Sequence, residues 1–519
     1  MKLGYVDLIV FITYITVVVL FGSWFARRSK TSDAFMKAGG ALPGWAVGIS
    51  LLGSYLSSNT FVGVVGKAFG SDWNFFVFSL ALPIAGWIGM KYFVPFYRNS
   101  GEISAYHHME KRFGKWARTY SVFCYLLIQL ARIATITFGV SLALEALTGW
   151  DISIIIIASG TLITFYTLLG GIEAVIWTDV VQSVVLLVGA LFILGLIIYD
   201  MPGGLSNAMH VAQEHNKFSL GSFDLSIHES TFWVVILYSL FMNLKAFGFD
   251  QSNVQRYHTA KSDKEAKRAI LLGSSLYLPI SLIFFFIGAM LFSYYQLNPE
   301  LLEALKYKVA SNSFLVLPDP SVIEAKAASL TSAQIGDQAM PHYMSLHLPI
   351  GVAGLIIAAI SAAAMSSIDT SLNSCATILL VDVFKRYRVK PVSDKTSINF
   401  LRGATLFMGV LGTGAALAMI GVESILAVWW KLTGILTGGM LGLFILGFVA
   451  KQVQKAEVLI ALIFGILIII WMTFSPMIET LPEWLKSPFH TNMIVIVSTL
   501  GMFLMGVLLA RLKKIIGKR

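Results

Sequence analysis

The residues whose types and spacing suit chemistry gather in one apolar stretch, residues 350–384. Ala363, Ser366 and Ser367 stand there at spacing i, i+3, i+4. On a helix they share one face. That face offers one carbonyl and two hydroxyls, hard oxygen donors that suit a hard cation if a second helix supplies the remaining oxygens. Asp369 follows at once, with Thr370 beside it. An acid at the depth of a hydrocarbon core is costly and marks a pathway or a site. Residues 358–364, rich in Ala, read by themselves as close helix packing. Packing does not need the acid that follows Ser366 and Ser367, so this part of the stretch reads as a site.

Two cations stand in similarly apolar surroundings. Arg132 lies inside Leu126-Leu127-Ile128-Gln129-Leu130-Ala131-Arg132-Ile133-Ala134. A buried guanidinium can grip a carboxylate through two parallel hydrogen bonds. The competing reading is an internal partner, an acid or backbone carbonyls. Lys245 either assists an anionic solute or snorkels toward the membrane face.

These side chains need helices to hold them. Apolar residues make up 56% of the 519 and charged residues only 13%, the latter confined to short stretches. Many apolar runs are about 20 residues long, enough to cross a ~30 Å core as helix. The chain therefore reads as an all-α, polytopic membrane protein with about 13 transmembrane helices. The alternating ~10-residue strands of a β-barrel are absent. The net charge of +10 sits in loops on one side and is no nucleic-acid signal. Cytoplasmic loops then hold roughly 26 Lys and Arg against roughly 6 outside, which places the N-terminus outside and the C-terminus in the cytoplasm of a cell-membrane protein. Residues 5–25 read as a retained first helix. Cys124 and Cys375 fall in membrane segments and support no disulfide framework. The fifth and sixth spans meet at a tight Gly170-Gly171 turn, and polar loops are expected near 200–230 and 295–348.

Two helices look interrupted. The second contains Gly53-Ser54-Tyr55-Leu56-Ser57-Ser58-Asn59-Thr60, and the seventh contains Asn243-Leu244-Lys245-Ala246-Phe247-Gly248-Phe249-Asp250. Gly, Ser and Asn clusters weaken a helix, and unwound backbone at membrane depth is tolerated where it lines a cavity within the protein. An odd number of helices separates the two breaks, so they are related by inversion. Paired broken helices in corresponding halves point to a secondary-transporter site.

The stretch Gly170-Gly171-Ile172-Glu173-Ala174-Val175-Ile176-Trp177-Thr178-Asp179-Val180-Val181-Gln182 resembles the signature of the sodium:solute symporter family. So do Asp250-Gln251-Ser252-Asn253-Val254-Gln255-Arg256 and the run from Ser366-Ser367 to Ser371-Leu372-Asn373-Ser374. Within the family the chain looks most like bacterial sialic acid symporters, through Leu42-Pro43-Gly44-Trp45-Ala46, Ser71-Asp72-Trp73, Arg132 and Gly354-Leu355-Ile356-Ile357-Ala358-Ala359-Ile360. The resemblance implies one transmembrane transporter domain with two inverted five-helix repeats, residues 43–198 and 231–448. Residues 5–25 would be an extra N-terminal helix, and residues 455–519 extra C-terminal helices with a cytoplasmic tail.

The resemblance also implies a site. A main sodium ion would be held by Gly53, Leu56, Ala363, Ser366 and Ser367. A second would lie among Asp179, Ser366, Asp369 and Thr370, where the family members have hydroxyls at the positions of Asp369 and Thr370. Matching positions for the solute are Ser57, Ser58, Thr60, Phe75, Ser79, Arg132 and Phe247. Ser79 stands where sialic acid symporters carry a longer amide and Tyr55 where they carry a small hydroxyl. A sugar acid, a neutral monosaccharide and another small carboxylate all remain open as solutes.

The implied function is sodium-coupled import of a small polar solute by alternating access, with sialic acid or a related sugar acid as the leading candidate. Sodium, the solute and the bilayer are the expected partners, with no nucleic acid and no obligate protein. A channel would need a continuous polar pore. An enzyme would need a catalytic constellation, and His107 and His108 are adjacent rather than i, i+4. No phosphate-cradling loop points to ATP-driven transport.

Overall fold

In the computed structural model the described residues are 4–25, 31–56, 60–313, 319–388, 390–422 and 425–516. Their regular elements are all helices, apart from an isolated bridge between Leu42 and Ala260. In chain order the main ones are α1 (Tyr5–Phe25), α2 (Gly44–Gly53), α3 (Thr60–Gly70), α4 (Trp73–Ser100), α5 (Lys115–Thr148), α6 (Ile152–Leu168), α7 (Gly171–Tyr199) and α8 (Phe232–Phe249). They continue as α9 (Gln251–Thr259), α10 (Asp263–Leu297), α11 (Ser332–His347), α12 (Val352–Ile378), α13 (Asp394–Leu417), α14 (Ile425–Val449), α15 (Lys455–Phe474) and α16 (Met493–Ile516). Among the described residues eleven helices are long and apolar enough to cross a membrane, while α2, α3 and α6 are apolar but shorter.

The stretch that carries the Ser366-Ser367 pair becomes α12, which runs on through a π-helical turn, Leu379–Phe384. In the most apolar window of that span 89% of the residues are buried, against 17% for α1. A helix covered on every side needs no polar face. The hydroxyls and the acid of α12 must therefore find partners inside the protein. It packs against α1, α5, α6, α7 and α13. The α6–α7 junction is a kink at Gly171, with φ 66° and ψ −173°. Only glycine adopts that backbone readily, and this is the tight turn expected at Gly170-Gly171.

Both expected interruptions are present. α2 stops at Gly53, and the chain from Ser54 to Leu56 leaves the helix before it resumes at Thr60. Residues 57–59, which include Ser57 and Ser58, lie outside the described residues. α8 ends at Phe249, and Asp250 (φ −73°, ψ 118°) starts α9 by accepting the Ser252 N–H at 3.1 Å. Freed carbonyls at this second break go to side chains. Asn253 Nδ2 donates to Ala246 O at 2.9 Å, Tyr257 Oη to Phe247 O at 2.8 Å and Tyr97 Oη to Gly248 O at 2.7 Å. Such replacement makes broken backbone tolerable away from water.

The expected polar loops are largely helical. Residues 200–230 contain the helix Gly204–Glu214, and residues 295–348 contain Pro299–Asn312, Pro320–Ser329 and α11. Proline is tolerated in a first helical turn, where its missing N–H would be unpaired in any case. Asp319 caps Pro320–Ser329, and a Thr331–Gln334 capping box starts α11. Pro341 sits inside α11 without ending it. Helices α10 and α13 also begin earlier than hydropathy alone places them, because Ser262 and Ser393 cap polar first turns.

Candidate functional site

The first break and α12 meet. A Cβ on Gly53 would stand 3.0 Å from Ser183 Oγ and 3.2 Å from Ser366 Oγ, so glycine leaves the backbone open to both hydroxyls. Leu56, Ala363, Ser366 and Ser367 are all buried. The hydroxyls of Ser183 and Ser367 are buried without a hydrogen-bond partner among the described residues. A buried, unpaired hydroxyl costs about 1–3 kcal/mol. A cation that met these hydroxyls would satisfy them, and hydroxyl and carbonyl oxygens are donors that suit a hard monovalent ion. Ser183, one helical turn beyond Asp179 on α7, was missing from the expected cage; the i+4 spacing is the signal that would have found it.

The four residues expected to hold a second cation are distributed differently. Asp179 is fully buried. It accepts from Ser366 Oγ at 2.5 Å, from Ser50 Oγ in a very short contact, and from Arg256 Nη2 at 3.0 Å. The same Arg256 nitrogen donates to Thr370 Oγ1 at 2.8 Å, and its Nε donates to Ser50 Oγ at 2.8 Å. Asp369 is held instead by a very short bond from the Tyr166 hydroxyl and by the Thr370 N–H at 2.6 Å. Thus a guanidinium stands between Asp179 and Thr370, where the sequence reading set a sodium ion. Arg256 lies in a motif that is plain in the sequence, but its partner is 77 residues away, and no spacing rule spans that distance.

Next to the first break lies a cavity of about 190 Å³, lined by residues of α3, α4, α5, α8, α9, α10 and α14. This is smaller than the ~300–1,000 Å³ of drug-sized pockets and suits one compact solute. Four of the residues matched to the solute, Thr60, Phe75, Ser79 and Arg132, line it. Phe247 does not. Its buried ring sits behind Tyr55, with centroids 6.2 Å apart, because the broken end of α8 turns it toward Gly89. Phe75 stacks on Trp430 at 4.5 Å, and Ser79 pairs with Ser281 at 2.6 Å. Trp429, Trp430, Tyr277, Asn243 and Asn253 also line the cavity and were not expected. The adjacent tryptophans were the one sequence signal among them.

Arg132 is half-buried on the cavity wall and donates to the Ser54 carbonyl at the first break in a very short bond. Among the described residues no carboxylate forms an ion pair with it. The lysine differs. Lys245 is 5% exposed and its Nζ lies 2.7 Å from Asp250 Oδ2. The snorkelling alternative is therefore replaced by a buried ion pair across the second break.

The sequence profile of the sodium:solute symporter family matches residues 35–465. The sodium/sialic acid symporter NanT of Aliivibrio fischeri is 33% identical over 476 residues, which cover 90% of this chain and 88% of that protein. The sodium/sialic acid symporter SiaT of Proteus mirabilis is also 33% identical, over 90% of this chain and 89% of its own. The sodium/glucose cotransporter of Vibrio parahaemolyticus is 27% identical, over 96% of this chain and 90% of its own. A solved structure described as the substrate-bound, outward-open state of a Na+-coupled sialic acid symporter superposes with a TM-score of 0.85 at 30% identity, covering 98% of both chains. An inward-facing Mhp1 structure, at 14% identity and a TM-score of 0.51, shares the fold. The profile match, the relatives and the two broken helices agree: the chain is a multi-pass membrane protein that belongs to the sodium:solute symporter family.

Proposed function

We propose that this protein couples inward sodium flow to the import of sialic acid or a related sugar acid. One observation carries the solute. Arg132, without an ion-paired carboxylate among the described residues, faces a small, largely apolar cavity with a few polar groups and holds the carbonyl of Ser54 at the first break. A guanidinium so placed suits a solute carboxylate. The sialic acid symporters of Aliivibrio fischeri and Proteus mirabilis support the same assignment. Ser79 and the aromatic lining favour a second reading, a neutral monosaccharide, and relatives named as sodium-coupled monocarboxylate transporters leave another small carboxylate as an alternative.

In this reading Gly53, Leu56, Ala363, Ser366 and Ser367 hold the transported sodium, with Ser183 at hand. The residues between Gly53 and Leu56 serve both ligands: the ion fixes the break, and the fixed break presents Ser54 to Arg132. Each ligand then tightens the other by the same factor. The second position, among Asp179, Ser366, Asp369 and Thr370, already holds the Arg256 guanidinium, so one sodium per cycle is the reading that fits. Pairing α2 with α3 as one crossing and counting α6 as another yields thirteen spans, with inverted repeats over 43–198 and 231–448. The N-terminus is placed outside the cell membrane and the C-terminus in the cytoplasm.

The test is a thermal-shift screen of the purified protein with sugar acids, neutral sugars and small carboxylates, each in sodium and in potassium. A ligand that binds the native state raises apparent stability, by about 2.7 kcal/mol at a hundred times its Kd. Stabilisation by sialic acid in sodium alone is the expected result. Stabilisation by neutral sugars instead would make Arg132 structural and overturn the solute assignment.

A further inference from the structure

The cavity carries a countable charge. Among the described residues its charged lining side chains are Arg132, Lys245 and Asp250; Ser57, Ser58 and Asn59, which follow Leu56 in the sequence, are uncharged types. Lys67 lies over the Phe75 ring and is not part of the lining. Lys245 and Asp250 cancel as a 2.7 Å pair, 7% and 8% exposed. The remaining lining is uncharged: hydroxyl, amide and aromatic groups together with the apolar Val64, Ile136, Met242 and Ala246. The wall thus presents two cations and one anion, a net charge of one positive unit.

We infer that the Lys245–Asp250 pair sets the charge class of the solute: it leaves Arg132 as the one cation of the described lining without an ion-paired carboxylate, so the site accepts monoanions and rejects dianions. This rests on the reading of the cavity as the solute site. In a water-poor cavity an unmatched charge is costly, and like-charge juxtaposition costs several kcal/mol. A second negative group would have to take Lys245 from Asp250, which would leave that carboxylate unpaired at the head of α9. A neutral solute would leave the Arg132 charge unmet. The transported sodium adds the same charge for every solute, so it cancels in comparisons between them. Asp250 also accepts the N–H of Ser252 at 3.1 Å and its hydroxyl at 2.7 Å. A simple break-stabilising role would be served equally well by Asn, whose side-chain oxygen can accept the same bonds. The charge itself is what distinguishes the two roles.

The experiment is isothermal titration of the purified full-length protein in sodium buffer. Its three probes are sialic acid, its neutral methyl ester and an analogue whose terminal carbon bears a second carboxylate. Wild-type protein is expected to prefer the monoanion. In D250N the freed Lys245 should raise dianion affinity relative to monoanion by at least about tenfold, and K245M:D250N, with net charge restored, should return to the wild-type ratio. In K245M the wall is neutral, and discrimination between the acid and its ester should fall by about tenfold or more. An unchanged monoanion-to-dianion ratio in D250N, or unchanged acid-to-ester discrimination in K245M, would overturn the charge rule alone. Wild-type protein that binds the ester as well as the acid would overturn the solute assignment and the charge rule with it.

Discussion

Ser366 and Ser367 are neighbours in sequence and neighbours in burial, yet their hydroxyls do different work. Ser366 Oγ donates to Asp179, while Ser367 Oγ has no partner among the described residues. Removing the second oxygen therefore breaks no hydrogen bond within the described protein. S367A is expected to leave stability in potassium unchanged or raised by up to about 1–3 kcal/mol, because it removes a buried hydroxyl that has no partner among the described residues. It should also require substantially more sodium for the same thermal shift. A sodium titration followed by melting temperature checks this, and an unshifted midpoint would remove Ser367 from the cage. Arg256 bears on ion number. Its guanidinium already meets Asp179 and Thr370, so sodium activation of solute binding should be hyperbolic. A sigmoidal sodium curve would show that a second ion displaces it.

At the scale of elements, helix α11 clamps the first broken helix to α14. It approaches α3 so closely that a Cβ on Gly66 would stand 2.6 Å from Asp337 Oδ1, and one on Gly336 would overlap the Gly66 carbonyl. Asp337 Oδ2 accepts the Ile425 N–H at 2.9 Å, at the start of the helix that brings Trp429 and Trp430 to the cavity. Burial pushes the Asp337 carboxyl up from 3.8 to about 7. The native state therefore keeps this proton at pH values where the unfolded chain has lost it. Stability conferred by the protonated form is present below the unfolded value and declines as pH rises between about 4 and 7, by at most about 1.4 kcal/mol per unit. Lys67 opposes the shift by favouring the charged form. D337N keeps an acceptor for Ile425 and removes the titration. Melting curves from pH 4 to 8 should show wild type losing stability relative to D337N as pH rises. Parallel curves would refute the assignment.

At the scale of the whole molecule, the chain alone determined that this is a helical membrane protein with two interrupted helices and a hydroxyl-rich helix at its centre. Those features are local: apolar run length, Gly and Ser clusters, and i, i+3, i+4 spacing all act within a few turns of one helix. For the same reason the break at Asp250 and the kink at Gly171 could be placed to within a few residues. The helices between 295 and 348 were missed because their stability comes from caps and from packing on neighbouring helices, such as α11 on α3, rather than from hydropathy. The meeting of the first break with α12 was foreshadowed on the α12 side by the spacing of Ala363, Ser366 and Ser367, and on the Gly53 side by the break.

Only the tertiary structure decided who meets whom. It set Arg256 against Asp179, paired Lys245 with Asp250, turned Asp369 to Tyr166, placed Phe247 behind the cavity wall and left Arg132 without an acid among the described residues. A buried charge must be matched by something, but the matching group is chosen by how helices far apart in the chain come to lie side by side. Composition and periodicity record that a charge is buried. The packing of the helices determines which charge is cancelled and which is not.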